Sequence, residues 1–155
     1  EQYNLLIHGY NSDVKNYFIS MKNQAHLRED IKFDINFYDE KNHFELLSSM
    51  DIGIALYKNV YNTINWDNLI FSSGKIAKYL WAGLAVITNI DSELTLNPPF
   101  LKINSFDASE LNRVLNQYKS SPNLYREKAI KTAEQYYNLD IYMKKIIDKI
   151  YESIE

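Results

Sequence analysis

Four consecutive residues, Ser72, Ser73, Gly74 and Lys75, have the types and the order that suit a phosphate-binding site. They precede an apolar pattern of helical spacing. A capping serine and a glycine there would leave backbone N–H groups exposed at the positive end of the helix dipole. Lys75 adds a mobile positive charge. The sequence therefore predicts a phosphate or diphosphate site, with the alternative that Ser73 only caps the helix and Lys75 is solvated.

The helix that must position these residues is short and well delimited. Its apolar residues recur at positions i, i+3, i+4 and i+8, as one buried face requires: Ile76, Tyr79, Leu80 and Leu84. Gly83 is predicted to end the helix, because glycine is the residue that most readily closes a helix C-terminus. The apolar run AVIT, at positions 85–88, follows as a buried strand. The candidate site therefore lies on a helix between two strands.

Strand-like runs alternate with helical patterns along the whole chain. The strands are predicted at 4–8, 31–38, 51–57, 85–88 and 100–103, and helices at 14–25, 44–50, 75–83 and 111–118. Ser121 and Pro122 predict the start of a further helix that runs to about Tyr137, and Asp140 is expected to cap a last one. This order predicts an α/β fold, a Rossmann-like doubly wound parallel sheet of about five strands flanked by helices, with a C-terminal helical run.

Length and composition restrict the possible classes of function. The 155 residues, 46% of them apolar, suit one domain spanning 1–155. A net charge of −3 gives no basic surface for nucleic acid, and zero cysteines exclude disulfides and thiolate metal sites. No apolar run is long enough for a transmembrane segment. The irregular stretch 58–72 is predicted to be a long loop at the ligand-binding edge of the sheet.

The segment SSGKIAKYLWAGLAVITN, at 72–89, resembles the C-terminal, donor-binding domain of group 1 glycosyltransferases of the GT-B fold. In that family a helix of the form Ser-x-Lys-x-x-x-Tyr-Leu-x-x-Gly is followed by a Pro-Val-Ile strand, and Ala85 stands where proline is usual. The preceding HFELLSSMDIGIALY is similar to the helix and strand that the family has there. The resemblance covers about 31–89.

The resemblance implies a domain that holds a nucleoside-diphosphate sugar for glycosyl transfer to an acceptor, in bacterial polysaccharide or glycoconjugate synthesis. It implies that an N-terminal acceptor-binding lobe is missing, that the isolated domain is inactive, and that no metal or other cofactor is required. The expected location is the cytoplasm, with the inner face of the membrane as an option for the full-length protein.

Carried over by position, Ser72, Ser73, Gly74 and Lys75 would contact the donor diphosphate. Many family members have a ribose-binding glutamate five residues before the glycine, where this chain has Lys78. Lysine cannot accept the ribose hydrogen bonds, so Lys78 either widens the phosphate site or is solvated. Further possible donor contacts are Lys78, Asp67, Asn68, Asn89, Glu93 and His8; no catalytic residue is assigned.

Two other classes of function compete with this one. A receiver-like signalling domain needs paired acids after the first strand and an aspartate after the third, where this chain has His8-Gly9-Tyr10 and Tyr57-Lys58. A non-catalytic nucleotide-binding or interaction domain would use the same scaffold. Binding of nucleotide separates a donor-binding domain from a pure interaction domain.

Overall fold

A computed structural model describes residues 4–8, 23, 30–34, 36, 38–57 and 66–152. The chain divides into two compact units, Glu1–Asn42 and His43–Glu155. The helix expected at 14–25 falls outside the described residues except for Asn23, which is helical. A single domain over 1–155 stays a prediction.

The first unit contains two parallel strands, β1 (Leu5–His8) and β2 (Ile31–Asp34). The second strand is shorter than the predicted 31–38. Asp34 accepts a hydrogen bond from the backbone N–H of Asn36 at 3.0 Å and another from the Tyr38 hydroxyl at 2.7 Å. An aspartate that binds the N–H two residues ahead turns the chain, so the extended run stops at Asp34.

In the second unit, β3 (Ile52–Ala55), β4 (Ala85–Thr88) and β5 (Phe100–Lys102) form one parallel sheet in that order. The helices are α1 (Glu40–Ser48, which begins in the first unit), α2 (Trp66–Ser72), α3 (Gly74–Trp81), α4 (Ala108–Ser120), α5 (Pro122–Tyr136) and α6 (Leu139–Glu152). A short 3-10 helix, Glu93–Leu96, connects β4 to β5. The α/β class with parallel strands and a C-terminal helix is confirmed, and the five described strands form two hydrogen-bonded sheets.

The three-stranded sheet is covered on both faces, as its continuous apolar strands require. All four residues of β4 are buried. One face packs Val86 and Phe100 against residues of α2, α3 and α5, and the other packs Ile87 and Leu101 against Val114 of α4. Alternate residues of the same strands therefore belong to two separate hydrophobic clusters.

The predicted loop at 58–72 is wrong for its second half, because 66–72 form α2. Ile70 is fully buried in the cluster beneath the sheet, and Trp66 and Leu69 pack against that cluster. The spacing of these three residues is the i, i+3, i+4 pattern of one helix face. The signal was present in the sequence. Positions 58–65 lie outside the described residues.

Helix α3 ends as the sequence predicts. Gly83 has a φ of 78°, its N–H donates to the Leu80 carbonyl, and the Leu84 N–H donates to the Tyr79 carbonyl. These two bonds form a Schellman motif, which satisfies carbonyls left open at a helix C-terminus and needs a left-handed residue at this position. The chain is thereby turned directly into β4.

The C-terminal helices confirm the predicted boundaries with one correction. Helix α5 starts with Pro122 at its first position and ends at Tyr136, one residue before the predicted end. Helix α6 begins at Leu139, so Asp140 lies in its first turn and is not its cap. Asn138 has that position, and its side chain accepts the Asp140 N–H at 3.0 Å.

Gly53 and Gly74 differ in the space around them. A Cβ added at Gly53 would lie 2.3 Å from the Tyr79 ring, whereas a Cβ at Gly74 would meet nothing within 4 Å. Glycine in β3 therefore makes room for the α3 tyrosine that packs over it.

We predict that Gly53→Ala lowers the free energy of unfolding by about 1–3 kcal/mol, the usual cost of overpacking. Gly74→Ala is the matched control, because alanine fits there and favours a helix by up to about 1 kcal/mol. Urea denaturation of both variants checks this. Equal stability of the two variants would contradict the packing of Tyr79 on Gly53.

Candidate functional site

The first turn of α3 has backbone donors that the helix itself does not use. Ser73 is the N-cap, its side chain accepts the Ile76 N–H at 3.3 Å, and its carbonyl accepts the Ala77 N–H at 3.0 Å. The N–H groups of Gly74 and Lys75 remain, since the first N–H groups of a helix have no intrahelical acceptor. In the described part of the chain they have no other acceptor. Both residues are exposed.

Tyr57, which follows β3, contacts the cap of α3. Its hydroxyl lies 2.5 Å from the Ser73 hydroxyl, and either oxygen is able to donate. Each hydroxyl has one proton, and only one of the two protons occupies the bond between them. The Ser73 oxygen also accepts the Ile76 N–H. Whichever way the bond runs, one hydroxyl proton of the pair is left to donate to a ligand.

Asn89, which follows β4, fixes the backbone of Tyr57. Its side-chain oxygen accepts the Tyr57 N–H at 2.9 Å, and its side-chain nitrogen donates to the Tyr57 carbonyl at 2.7 Å. We call this pair of bonds the Asn89 bridge. The bridge uses the side-chain oxygen of Asn89 and one of its side-chain N–H groups. In the structure Asn89 therefore positions Tyr57, whereas the sequence suggested a contact with the sugar-nucleotide substrate.

Among the predicted diphosphate residues, Ser73, Gly74 and Lys75 lie together at the start of α3, whereas Ser72 ends α2. The Ser72 hydroxyl donates back to the Leu69 carbonyl at 3.4 Å. Lys75 and Lys78 are both exposed on α3, and the first turn of that helix contains no acidic residue. The local charge at this helix end is therefore positive.

The remaining predicted contacts are distributed over other elements. Asp67 and Asn68 lie on α2 and not in a loop, so the helical backbone fixes both positions. His8 ends β1 in the first unit, paired in register with Asp34. Glu93 begins the 3-10 helix after β4 and is exposed. The structure thus brings Ser73, Gly74, Lys75 and Asn89 to one edge of the sheet.

Tyr79 of α3 contacts the backbone of the neighbouring strand β3. Its hydroxyl donates to the Ile54 carbonyl at 3.5 Å. Burial raises the pKa of the Tyr79 hydroxyl above its usual value, and the nearby Tyr57 adds to this shift. Tyr79 therefore stays protonated at neutral pH and acts as a packing residue.

The segment between β4 and β5 is fixed by one buried threonine. The Thr95 hydroxyl lies 2.9 Å from the Ile90 carbonyl and 2.7 Å from the Ser92 carbonyl, and it accepts the Ser92 N–H at 3.4 Å. Only 1% of Thr95 is exposed. A single hydroxyl therefore holds the backbone that presents Asp91 and Glu93.

An open cavity of about 790 Å³ borders this segment. It is lined by the segment 91–94, by Leu96, Asn97 and Pro98, and by two aromatic residues, Phe71 at the end of α2 and Tyr136 at the end of α5. The rings of Phe71 and Tyr136 are tilted at 48° with centroids 5.6 Å apart. Of the predicted site residues, Glu93 belongs to this cavity.

Tyr57 and Thr95 are the residues that sequence reasoning missed. Tyr57 is the last residue of the predicted strand 51–57. Its contact with Ser73 joins positions that are 16 residues apart, which no local pattern indicates. Thr95 lies three residues after Ser92, which is the spacing of a capping box, but threonine is not the usual residue at that third position. For Tyr57 the sequence signal was a polar hydroxyl after an apolar run, and such residues are common at strand ends.

The described residues contain neither a cluster of metal ligands nor a membrane-spanning helix. Among the residues that the structure describes, no three His, Asp or Glu side chains gather as metal ligands. Within the same residues no helix has the length and apolar character to cross a membrane. Comparison with protein-family models, curated proteins and solved structures gave no match.

We predict that Asn89→Ala lowers the free energy of unfolding by about 1–3 kcal/mol, because it leaves the N–H and the carbonyl of Tyr57 without partners. Asn89→Asp keeps the acceptor but sets a carboxylate against the Tyr57 carbonyl, so it should also destabilise. Chemical denaturation measures both. Asn116→Ala, on the exposed side of α4, is the control and should stay within about 0.5 kcal/mol of the wild type.

Proposed function

We propose that this chain is the donor-binding domain of a glycosyltransferase, which holds a nucleoside-diphosphate sugar while a second lobe binds the acceptor. One observation carries the proposal: the start of α3, with the unused N–H groups of Gly74 and Lys75, lies at the carboxyl edge of a parallel sheet. This edge is where open α/β sheets bind ligands, and a helix N-terminus attracts phosphate. The resemblance of 72–89 to group 1 glycosyltransferases supports the same assignment.

The site suits the leaving group of glycosyl transfer. When the sugar leaves, negative charge grows on the diphosphate, and donors that already point at it stabilise the transition state. Gly74 and Lys75 supply backbone N–H groups, Lys75 supplies an ammonium, and the Tyr57–Ser73 hydroxyl pair supplies one further proton. This set of donors stabilises the negative charge of the diphosphate, so the proposed transfer requires no cofactor.

In the full-length enzyme a second lobe would bind the acceptor and supply any general base. The domain alone therefore binds the donor without transferring sugar. The proposed reaction is a step in the synthesis of a bacterial polysaccharide or glycoconjugate. Its proposed location is the cytoplasm, with the inner face of the membrane as an option for the full-length protein.

A second candidate, a nucleotide-binding domain without transferase activity, is favoured by Lys78. This lysine stands where the related enzymes have their ribose-binding glutamate, and it is exposed on α3. A domain that reads only the diphosphate has no need of that glutamate. Both candidates predict nucleotide binding, and only the first predicts that a donor sugar adds affinity.

We predict that the 155-residue chain binds UDP, GDP or ADP with a dissociation constant in the millimolar range or below, measured by isothermal titration calorimetry. Lys75→Ala should weaken this binding by about tenfold to a hundredfold, because one charge-assisted hydrogen bond contributes about 1.5–3 kcal/mol. If Lys78 is solvated, Lys78→Ala leaves the dissociation constant within about twofold.

Lys128→Ala is the control for the loss of one positive charge, since Lys128 is an exposed lysine of a different helix, α5. Circular dichroism shows whether each variant keeps its fold. A folded wild-type chain that binds none of the three nucleotides would rule out the proposal. Equal weakening by Lys75→Ala and Lys128→Ala would show that only net charge matters.

A further inference from the structure

The open cavity beside the 3-10 helix combines aromatic surface with carboxylates. Phe71, 43% exposed, and Tyr136 supply two adjacent rings, while Asp91 and Glu93 lie along the β4–β5 segment. The volume of about 790 Å³ is within the range of roughly 300–1,000 Å³ that is usual for small-molecule sites. Aromatic rings pack on the C–H face of a pyranose, and carboxylates accept hydrogen bonds from its hydroxyls.

The charges around the cavity favour a ligand without negative charge. None of its lining residues is basic. Asp91 forms an ion pair with Lys102, which compensates its charge. Glu93 has no ion-pair partner among the described residues, so its carboxylate is the uncompensated charge of the lining. The Glu93 carboxylate would therefore repel a carboxylate on the ligand.

The cavity also lies close to the start of α3 along the chain. Phe71 is two residues before Ser73, and two trans peptide units span at most about 7.6 Å between Cα atoms. In a nucleoside-diphosphate sugar the sugar is bonded directly to the terminal phosphate. A diphosphate at Gly74 and Lys75 would therefore lie at one end of a short segment whose other end, Phe71, lines the cavity.

We infer that this cavity receives the sugar of the donor and selects an uncharged hexose over a uronic acid, with Phe71 and Tyr136 as the packing surface and Glu93 as the discriminating group. The inference rests on the proposed function, because the diphosphate anchors the sugar. It adds a substrate class that the start of α3 alone does not define.

The test separates the sugar from its anchor by titrating the intact chain with nucleotides that lack a sugar and with nucleotides that carry one. Bare UDP, GDP and ADP are titrated first. UDP-glucose and UDP-glucuronate follow where UDP binds; where GDP or ADP binds, the glucose and glucuronate esters of that nucleotide take their place. We expect the glucose form to bind about tenfold more tightly than the glucuronate form, and more tightly than the ligand without sugar.

Two variants locate the effect. Glu93→Gln should reduce the glucose-to-glucuronate ratio to within about twofold, because it removes the repelling charge and keeps the side-chain shape. Phe71→Ala should remove most of the affinity that glucose adds over the bare nucleotide. Glu127→Gln, on the exposed side of α5, is the control and should keep the wild-type ratio.

Each outcome has one meaning. Equal affinity for the two sugars, or no gain from glucose over the bare nucleotide, overturns the sugar assignment and leaves the diphosphate site standing. An unchanged ratio in Glu93→Gln overturns the role of that residue. Absence of binding by every bare nucleotide overturns the proposed function and the sugar assignment together.

Discussion

The Asn89 bridge is the interaction on which the candidate site depends. The β3–β4 pairing ends at Ala55 and Thr88, so the ladder of the sheet does not join the two segments that follow these strands. The side-chain amide of Asn89 replaces a peptide group and bonds both the N–H and the carbonyl of Tyr57. The parallel pairing is thereby extended past the end of the sheet, and Tyr57 is held where its hydroxyl meets the cap of α3.

The edge of the sheet presents two neighbouring environments of opposite electrostatic character. The start of α3 offers N–H groups and a lysine without any acid in its first turn. The β4–β5 segment offers two carboxylates, one of them paired with Lys102, beside two aromatic rings. A ligand with an anionic end and a neutral, hydroxyl-rich end complements this division, whereas a ligand of uniform charge suits only half of it.

The sequence predicted the elements better than the contacts between them. Gly83 and Pro122 act through local backbone geometry, so the C-terminal end of α3 and the start of α5 could be predicted from residue type alone. The helix at 66–72 replaces a predicted loop, because the spacing of Trp66, Leu69 and Ile70 is helical but too short a pattern to define a helix by itself. The Asn89 bridge joins residues 32 positions apart, and no local pattern encodes such a bond. The position of Ser73 and Lys75 at a helix start was predictable from the sequence, whereas the contact of Tyr57 with that helix start was not.

The short β4–β5 crossover has a consequence for the order of folding. A parallel connection usually contains a helix that covers the sheet face it crosses, but here a four-residue 3-10 helix held by Thr95 takes that place. Ala129 and Ala133 of α5 pack in the cluster on one face of the sheet with Val86 and Phe100. Part of the cover for β4 and β5 therefore comes from a later segment of the chain. During synthesis that face remains incompletely covered until α5 has emerged, so the start of α3 reaches its final support only after the chain has passed residue 133.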